Sequence, residues 1–232
     1  MQTELLTPVG VYIITYKRPQ NIEPILKNLE ESTKAPLDIY FVIEKDDQPT
    51  IDKLVDLNKN YIFNHYEHSA LGACNTCFEV FRHRYFFLTP DDVIFGKDWL
   101  EHLLNHVEKF PVVGTNDLHQ ELVLQKKHAT SFLIDREYIE KESGSFNTTG
   151  VIFNPIYKHN YADLEFIGTA IARGKFTPCL ESIVEHRFRS PDQYDETFYK
   201  TRKEEPKDRA LYHSRRYLWE ECVGYRDYMK GL

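Results

Sequence analysis

The sequence predicts an α/β fold: one domain with a mostly parallel central sheet, mixed toward the C-terminal half, and a helical tail. Three observations predict it. The first hundred residues alternate between a strand period and a helix period, the chain of 232 residues is 41% hydrophobic with 14% aromatics, and one aromatic strand runs straight into adjacent acids, "YFFLTPDD". A chain of that length buries enough apolar surface to fold without disulfides or metal staples.

Residues 9–15, 37–43, 61–66 and 85–89 are short apolar runs rich in β-branched and aromatic side chains, and each predicts a buried strand. Between the first pair, Ile22, Ile25, Leu26 and Leu29 recur at helical spacing; before the fourth run, Leu71, Cys74, Phe78 and Phe81 do the same. Strands separated by such helices pair in parallel through right-handed crossovers. Asp98 followed by Glu101 reads as a capping box opening a helix that turns Leu100, Leu103, Leu104 and Val107 inward. Beyond Pro111 the pattern predicts strands over 112–114, 121–124, 131–134 and 180–184, a helix over 163–173, and a loop at "GSFNTTG". A last helix is predicted over 209–228, with Leu211, Leu218, Trp219 and Cys222 on one face.

The formal charge of −7 weighs against a surface built for nonspecific nucleic-acid binding. The longest apolar run, residues 9–14, is too short to cross a bilayer, and the first eight residues lack the basic start and apolar stretch of a signal peptide, so a cytoplasmic location is expected. Cys74, Cys77, Cys179 and Cys222 are too scattered for a disulfide framework, and the Cys74/Cys77 pair has no second pair to complete a zinc site, so reduced structural thiols are expected. His102 and His106 stand at i, i+4, yet Leu103 occupies the place where a zinc protease needs glutamate, which leaves a solvated helix face.

In open α/β sheets ligands bind beyond the carboxyl ends of the strands. That rule gathers Thr15 to Arg18, Glu44 to Asp47, and Asp91 with Asp92 at one sheet edge. Clustered carboxylates repel, so they persist beside a cation or a hydrogen-bond network; Mg2+ and Mn2+ accept one or two such ligands while phosphates supply the rest. Taken alone, Pro90-Asp91-Asp92 would read as a strand end followed by a turn.

Several segments together resemble the nucleotide-sugar glycosyltransferases of the GT-A (Rossmann-like) fold, in particular the inverting family-2 group. "VGVYIITYKRPQNIEPILKNLEES" resembles their first strand, loop and helix; "IYFVIEKDDQPT" their second strand; "LGACNTCFEVFRHRYFFLTPDDV" the helix entering the DXD strand; "ATSFLIDREYIEKESGSF" an acceptor-side segment; and "YADLEFIGTAIARGKF" the helix carrying the base. The likeness covers roughly residues 9–188. It implies a GT-A domain over 1–190, with a nucleotide-binding half (1–110) and an acceptor-side half (111–190), followed by a helical extension over 191–232. It implies that Glu44 contacts the base, that Thr15, Tyr16, Arg18, Asp46, Asn75, Asp91 and Asp92 line the donor site, and that Asp91 and His186 hold Mn2+ or Mg2+. Asp163 is implied as the catalytic base, with Glu165 as its fallback; read locally, Asp163 is a helix-start acid favoured by the macrodipole.

Two departures stand out: Thr89 replaces the first acid of the DXD triplet, and Cys74 stands before Asn75 where the family often has arginine. The resemblance implies a hexosyl- or pentosyltransferase that uses a nucleotide-diphosphate sugar, UDP-linked by preference, with a glycan as the leading acceptor and a protein or modified DNA base as alternatives. Two other readings stay open. One is a non-catalytic binding module of the same fold. The other is a sugar nucleotidyltransferase, which should carry a glycine-rich phosphate loop that "TYKRPQN" lacks.

Overall fold

The computed structural model describes residues 7–66, 69–186 and 196–232. Its first half is the expected alternation: β1 (Val9–Ile14), α1 (Ile22–Ser32), β2 (Leu37–Ile43), α2 (Gln48–Asp56), β3 (Tyr61–Phe63), α3 (Ala70–Val80) and β4 (Tyr85–Pro90). There follow β5 (Val93–Phe95), α4 (Trp99–Val107), β6 (Val112–Asn116), α5 (Glu121–Leu124), β7 (Phe132–Asp135), α6 (Arg136–Glu142), α7 (Ala162–Ala172) and β8 (Phe176–His186). The tail supplies α8 (Glu196–Arg215), α9 (Tyr217–Glu220) and α10 (Val223–Lys230).

The strands lie in the order β3-β2-β1-β4-β7-β6-β8-β5. From β3 to β4 every pairing is parallel; β7 then runs antiparallel to both β4 and β6, β6 pairs with β8 in parallel, and β5 pairs antiparallel with the end of β8. The sheet is thus parallel at its front and mixed at its rear, as the sequence predicts. Strand alternation divides the core: Val9, Val11 and Ile13 face α1 and α4, whereas Tyr12 points to the opposite layer with Leu71, Phe78, Phe86 and Phe166. Helix α7 is buried nearly all round, because the sheet covers one side and α9 and α10 cover the other.

Several elements depart from the sequence reading. Residues 121–124 form one helical turn, not a strand: the Asp117 carboxylate accepts the amides of His119 and Gln120 just ahead of it, and only Val123 is buried. Helix α2 is an element the periodicity does not single out; it begins where the Asp47 side chain accepts the Thr50 amide at 3.3 Å. Asp98 makes no capping bond; it sits at φ 57°, and Glu101 reaches away to Thr33 and to the amides of Lys34 and Ala35. The single terminal helix predicted over 209–228 is three, broken after Arg215 and at Cys222, whose backbone is extended. Cys74, Cys77 and Cys179 are buried and unbridged, and burial pushes the Cys74 thiol up to about 12, which suits inert packing. Among the described residues no helix is long and apolar enough to cross a membrane.

Candidate functional site

The parallel pairing of β1 with β4 sets Ile14 opposite Pro90, so Thr15 and Asp91 leave the sheet side by side. The Thr15 hydroxyl donates to Asp91 Oδ2 at 2.5 Å, and Asn21 donates its amide to Asp91 Oδ1 at 3.2 Å. Arg18 Nη1 stands 3.2 Å from both Asp91 Oδ1 and Asp92 Oδ2. Asp91 is 3% exposed. Burial, helped by the Asp92 charge, holds its pKa above the ordinary carboxylate value against the lowering pull of Arg18, Thr15 and Asn21.

The small β5–β8 ladder closes this corner. Its register sets Val93 against His186, which brings His186 Nε2 to 3.2 Å from Asp92 Oδ1. Burial alone would lower the His186 pKa, but the hydrogen bond and charge of Asp92, with the charge of Asp117, raise it. Thr89 does not join the cluster: it is 2% exposed and its hydroxyl donates to the Pro90 carbonyl.

The second strand end forms a neighbouring group. Asn64 donates to Glu44 at 2.8 Å, the Tyr16 hydroxyl donates to Asp46 at 3.0 Å, and the Lys17 amide donates to Asp47 at 2.5 Å. The expected donor loops therefore do meet along one edge. Asn75 stands apart from them. It is buried in α3, accepts the amides of Ile152 and Phe153 at 3.0 Å each and donates to the Phe153 carbonyl, so its amide clasps backbone.

Asp163 lies in the first turn of α7, with its side chain 39% exposed. His128 Nε2 is 3.3 Å away, and the Leu164 amide donates to Asp163 at 2.9 Å. Burial opposes ionisation of Asp163, yet the His128 contact and the local amides win and hold its pKa below the ordinary value. His128 is 2% exposed and its Nδ1 has no partner, so the economical tautomer keeps the proton on Nε2, donated to Asp163. His128 and Asp163 line a cleft of about 350 Å³ together with His159, Asn160, Tyr161, Leu122 and Arg202. His159 lines the cleft beside Asp163. Burial keeps its pKa down, with the Asp163 charge pulling it up and the Arg18 charge pushing it down.

Glu165 is committed elsewhere. It is 1% exposed, receives both Nε and Nη2 of Arg215 at 2.8 Å and the Tyr157 hydroxyl at 2.7 Å, and also bonds Ser145. Burial works to raise its pKa, and these donors lower it below the ordinary value. Such a saturated, enclosed carboxylate fits a structural ion pair rather than a reserve base. Asn21, His128 and His159 lie outside the residues the sequence points to, and of these only Asn21, at a helix start after a basic loop, carries a local signal; Arg215 is legible only as part of a basic stretch of the tail, not as the partner of Glu165.

Among the described residues no three histidine, cysteine or acidic side chains surround one point. The chemistry at Asp91 and Asp92 is nonetheless that of a cation shared by two carboxylates, since one cationic nitrogen of Arg18 already bridges them. A hard divalent ion that takes most of its oxygens from phosphates and water fits this donor set; a cage built wholly of protein ligands does not.

Solved structures of similar architecture are a mannosyltransferase of Pyrobaculum calidifontis in complex with GDP-Man and Mn2+, at TM-score 0.63 and 15% identity, covering 81% of this chain and 59% of that one; glucosyl-3-phosphoglycerate synthase of Mycobacterium tuberculosis with Mn2+, UDP and glucosyl-3-phosphoglycerate, at 0.60 and 8%, covering 87% and 79%; and TarS 1–349 of S. aureus with UDP-GlcNAc, at 0.60 and 12%, covering 84% and 64%. At these identities they establish the GT-A fold. No curated protein matches the sequence. The model for the family described as glycosyl transferase family 2 matches residues 10–188, well over half of the sequence, and the chain belongs to that family.

Proposed function

We propose that the protein is a divalent-cation-dependent glycosyltransferase that moves a sugar from a nucleotide diphosphate, UDP by preference, to an acceptor hydroxyl with inversion. The observation that carries this reading is the pair of unlike acidic centres: a buried pair at Asp91 and Asp92 bridged by Arg18, and a part-exposed carboxylate at Asp163 that pairs with His128 and opens on a cleft. Family membership and the nucleotide-sugar complexes of the similar structures support it.

Asp91 and Asp92, with His186 at the rim, would hold Mn2+ or Mg2+. When bound, the ion supplies Lewis-acid neutralisation of the departing diphosphate. Thr15 and Asn21 fix the Asp91 carboxylate, and Arg18 adds positive charge on the diphosphate side. Glu44, Tyr16 and Asp46 flank the first two strand ends, where they recognise the nucleoside. The acceptor enters the cleft, and Asp163, ionised at neutral pH and oriented by His128, removes the proton from its hydroxyl; such base catalysis contributes about 10²–10⁴-fold. A saccharide hydroxyl is the leading acceptor. A panel of UDP-glucose, UDP-GlcNAc and GDP-mannose with Mn2+, scored by release of free nucleotide, tests the reading. Metal-dependent release from one of them is expected, and release from none, with no metal-coupled nucleotide binding, would leave only a binding module of the same fold.

A further inference from the structure

The tail helix α8 grips the chain just ahead of Asp163. Asp208 is 2% exposed although residues 206, 207, 209 and 210 around it are exposed, so a single acid of a polar stretch is turned inward. Its Oδ1 accepts the Lys158 amide at 3.0 Å, and its Oδ2 accepts the amides of His159 at 2.9 Å and Asn160 at 2.8 Å. Three successive backbone donors on one carboxylate fix a segment that no sheet or helix supports. The next residue, Tyr161, has φ 67°. A bulky side chain in that region costs on the order of 1–3 kcal/mol and persists only where its surroundings enforce it. Here they do: the Tyr161 hydroxyl donates to Glu205 at 2.7 Å, one turn before Asp208 on the same helix. Two residues after this turn stands Asp163, and within the gripped segment stands His159, which lines the same cleft.

Docking of the tail has its own anchors in the Arg215–Glu165 ion pair and in Trp219 packed on Gly168. Asp208 adds little apolar contact; what it adds is order in the loop. We propose that Asp208 is a positioning residue, fixing residues 158–160 so that His159 and Asp163 keep their places in the acceptor cleft. The inference rests on the glycosyl-transfer reading for its catalytic consequence, and on hydrogen-bond geometry for its structural one.

The test compares Asp208→Asn with wild type and with Lys207→Gln, an exposed neighbour on the same helix. Asp208→Asn keeps the shape but loses the charge and one accepting oxygen. Three readouts are taken: amide hydrogen exchange of residues 158–160, affinity for UDP with Mn2+, and kcat with KM for the nucleotide sugar that turns over. The expected result is fast exchange at 158–160, unchanged UDP affinity and KM, and kcat lower by about 10²-fold, the scale of a misplacement near 1 Å; Lys207→Gln matches wild type. Unchanged exchange at 158–160 overturns the proposal whatever the turnover, as does loss of UDP affinity in step with kcat, which would mark a general structural role. If wild type turns over no nucleotide sugar, the transfer reading fails, and the exchange result at residues 158–160 still decides the positioning: exchange unchanged between wild type and Asp208→Asn overturns it.

Discussion

At Asp163 two opposing effects meet, and their balance decides the chemistry. Burial would keep a carboxyl neutral, whereas the His128 N–H and two amides favour the carboxylate, and the carboxylate wins. An acid limb of kcat/KM set by this group therefore lies below its ordinary value of 3.8, with activity flat above it on this account. His128→Ala removes a donor to the charged form, so the folded pKa rises and the acid limb moves up in pH; a pH profile of nucleotide release checks it, and an unmoved limb counts against the pairing. Residue types at strand ends were the most legible part of the site, because the fold rule alone delivers Thr15, Arg18, Glu44, Asp91 and Asp92 to one edge. His128 and His159 were not legible. Each gains its meaning from a partner far off in sequence, and "KKHATS" or "YKHNY" carries no local pattern.

Elements were legible in proportion to their periodicity. Strands β1, β2 and β4 advertise themselves as short continuous apolar runs and helices α1, α3 and α4 by apolar residues at helical spacing, and the structure gives them close to the expected bounds. Short elements set by caps are less legible: α2 and α6 begin at Asp47 and Asp135, whose side chains accept the amides of Thr50 and Glu137, and neither helix is among the elements the periodicity predicts. Helix α8 starts well before its expected start because Pro206 discourages a helix on local grounds, while contacts to the core retain it. The packing of α9 on α7 depends on a missing side chain, since a Cβ at Gly168 would meet Trp219 Nε1 at 2.6 Å. Gly168→Ala should lower stability by about 1–3 kcal/mol through overpacking, measured by urea unfolding, even though alanine is the better helix former. A neutral or stabilising result would mean that the indole can shift without cost.

Across the whole molecule, the GT-A sheet gathers the acids at its strand ends, and the tail closes on the segment ahead of α7 and on α7 itself through Arg215, Asp208 and Glu205. The Arg215–Glu165 pair sits where both groups are largely buried, so Arg215→Met strands a carboxylate and should cost about 3 kcal/mol in urea unfolding. The sign of its pH dependence follows from the depressed folded pKa of Glu165. Its contribution is whole above the ordinary value of 4.5 and is lost as pH falls below that value through the folded one, so wild type should lose stability faster than Arg215→Met on acidification below pH 4.5. The sequence foretold the fold class and the gathering of acids at one sheet edge but not this coupling, which joins residues 145, 157, 165 and 215 through tertiary contacts only.

The division of labour between the two acidic centres is tested most directly by titrating UDP with Mn2+ into Asp91→Ala and Asp163→Asn while measuring nucleotide release from the sugar donor. The account predicts that Asp91→Ala loses both binding and release, whereas Asp163→Asn binds as wild type does and releases at least 10²-fold more slowly. Equal loss of binding in both variants, or wild-type release from Asp163→Asn, would contradict it.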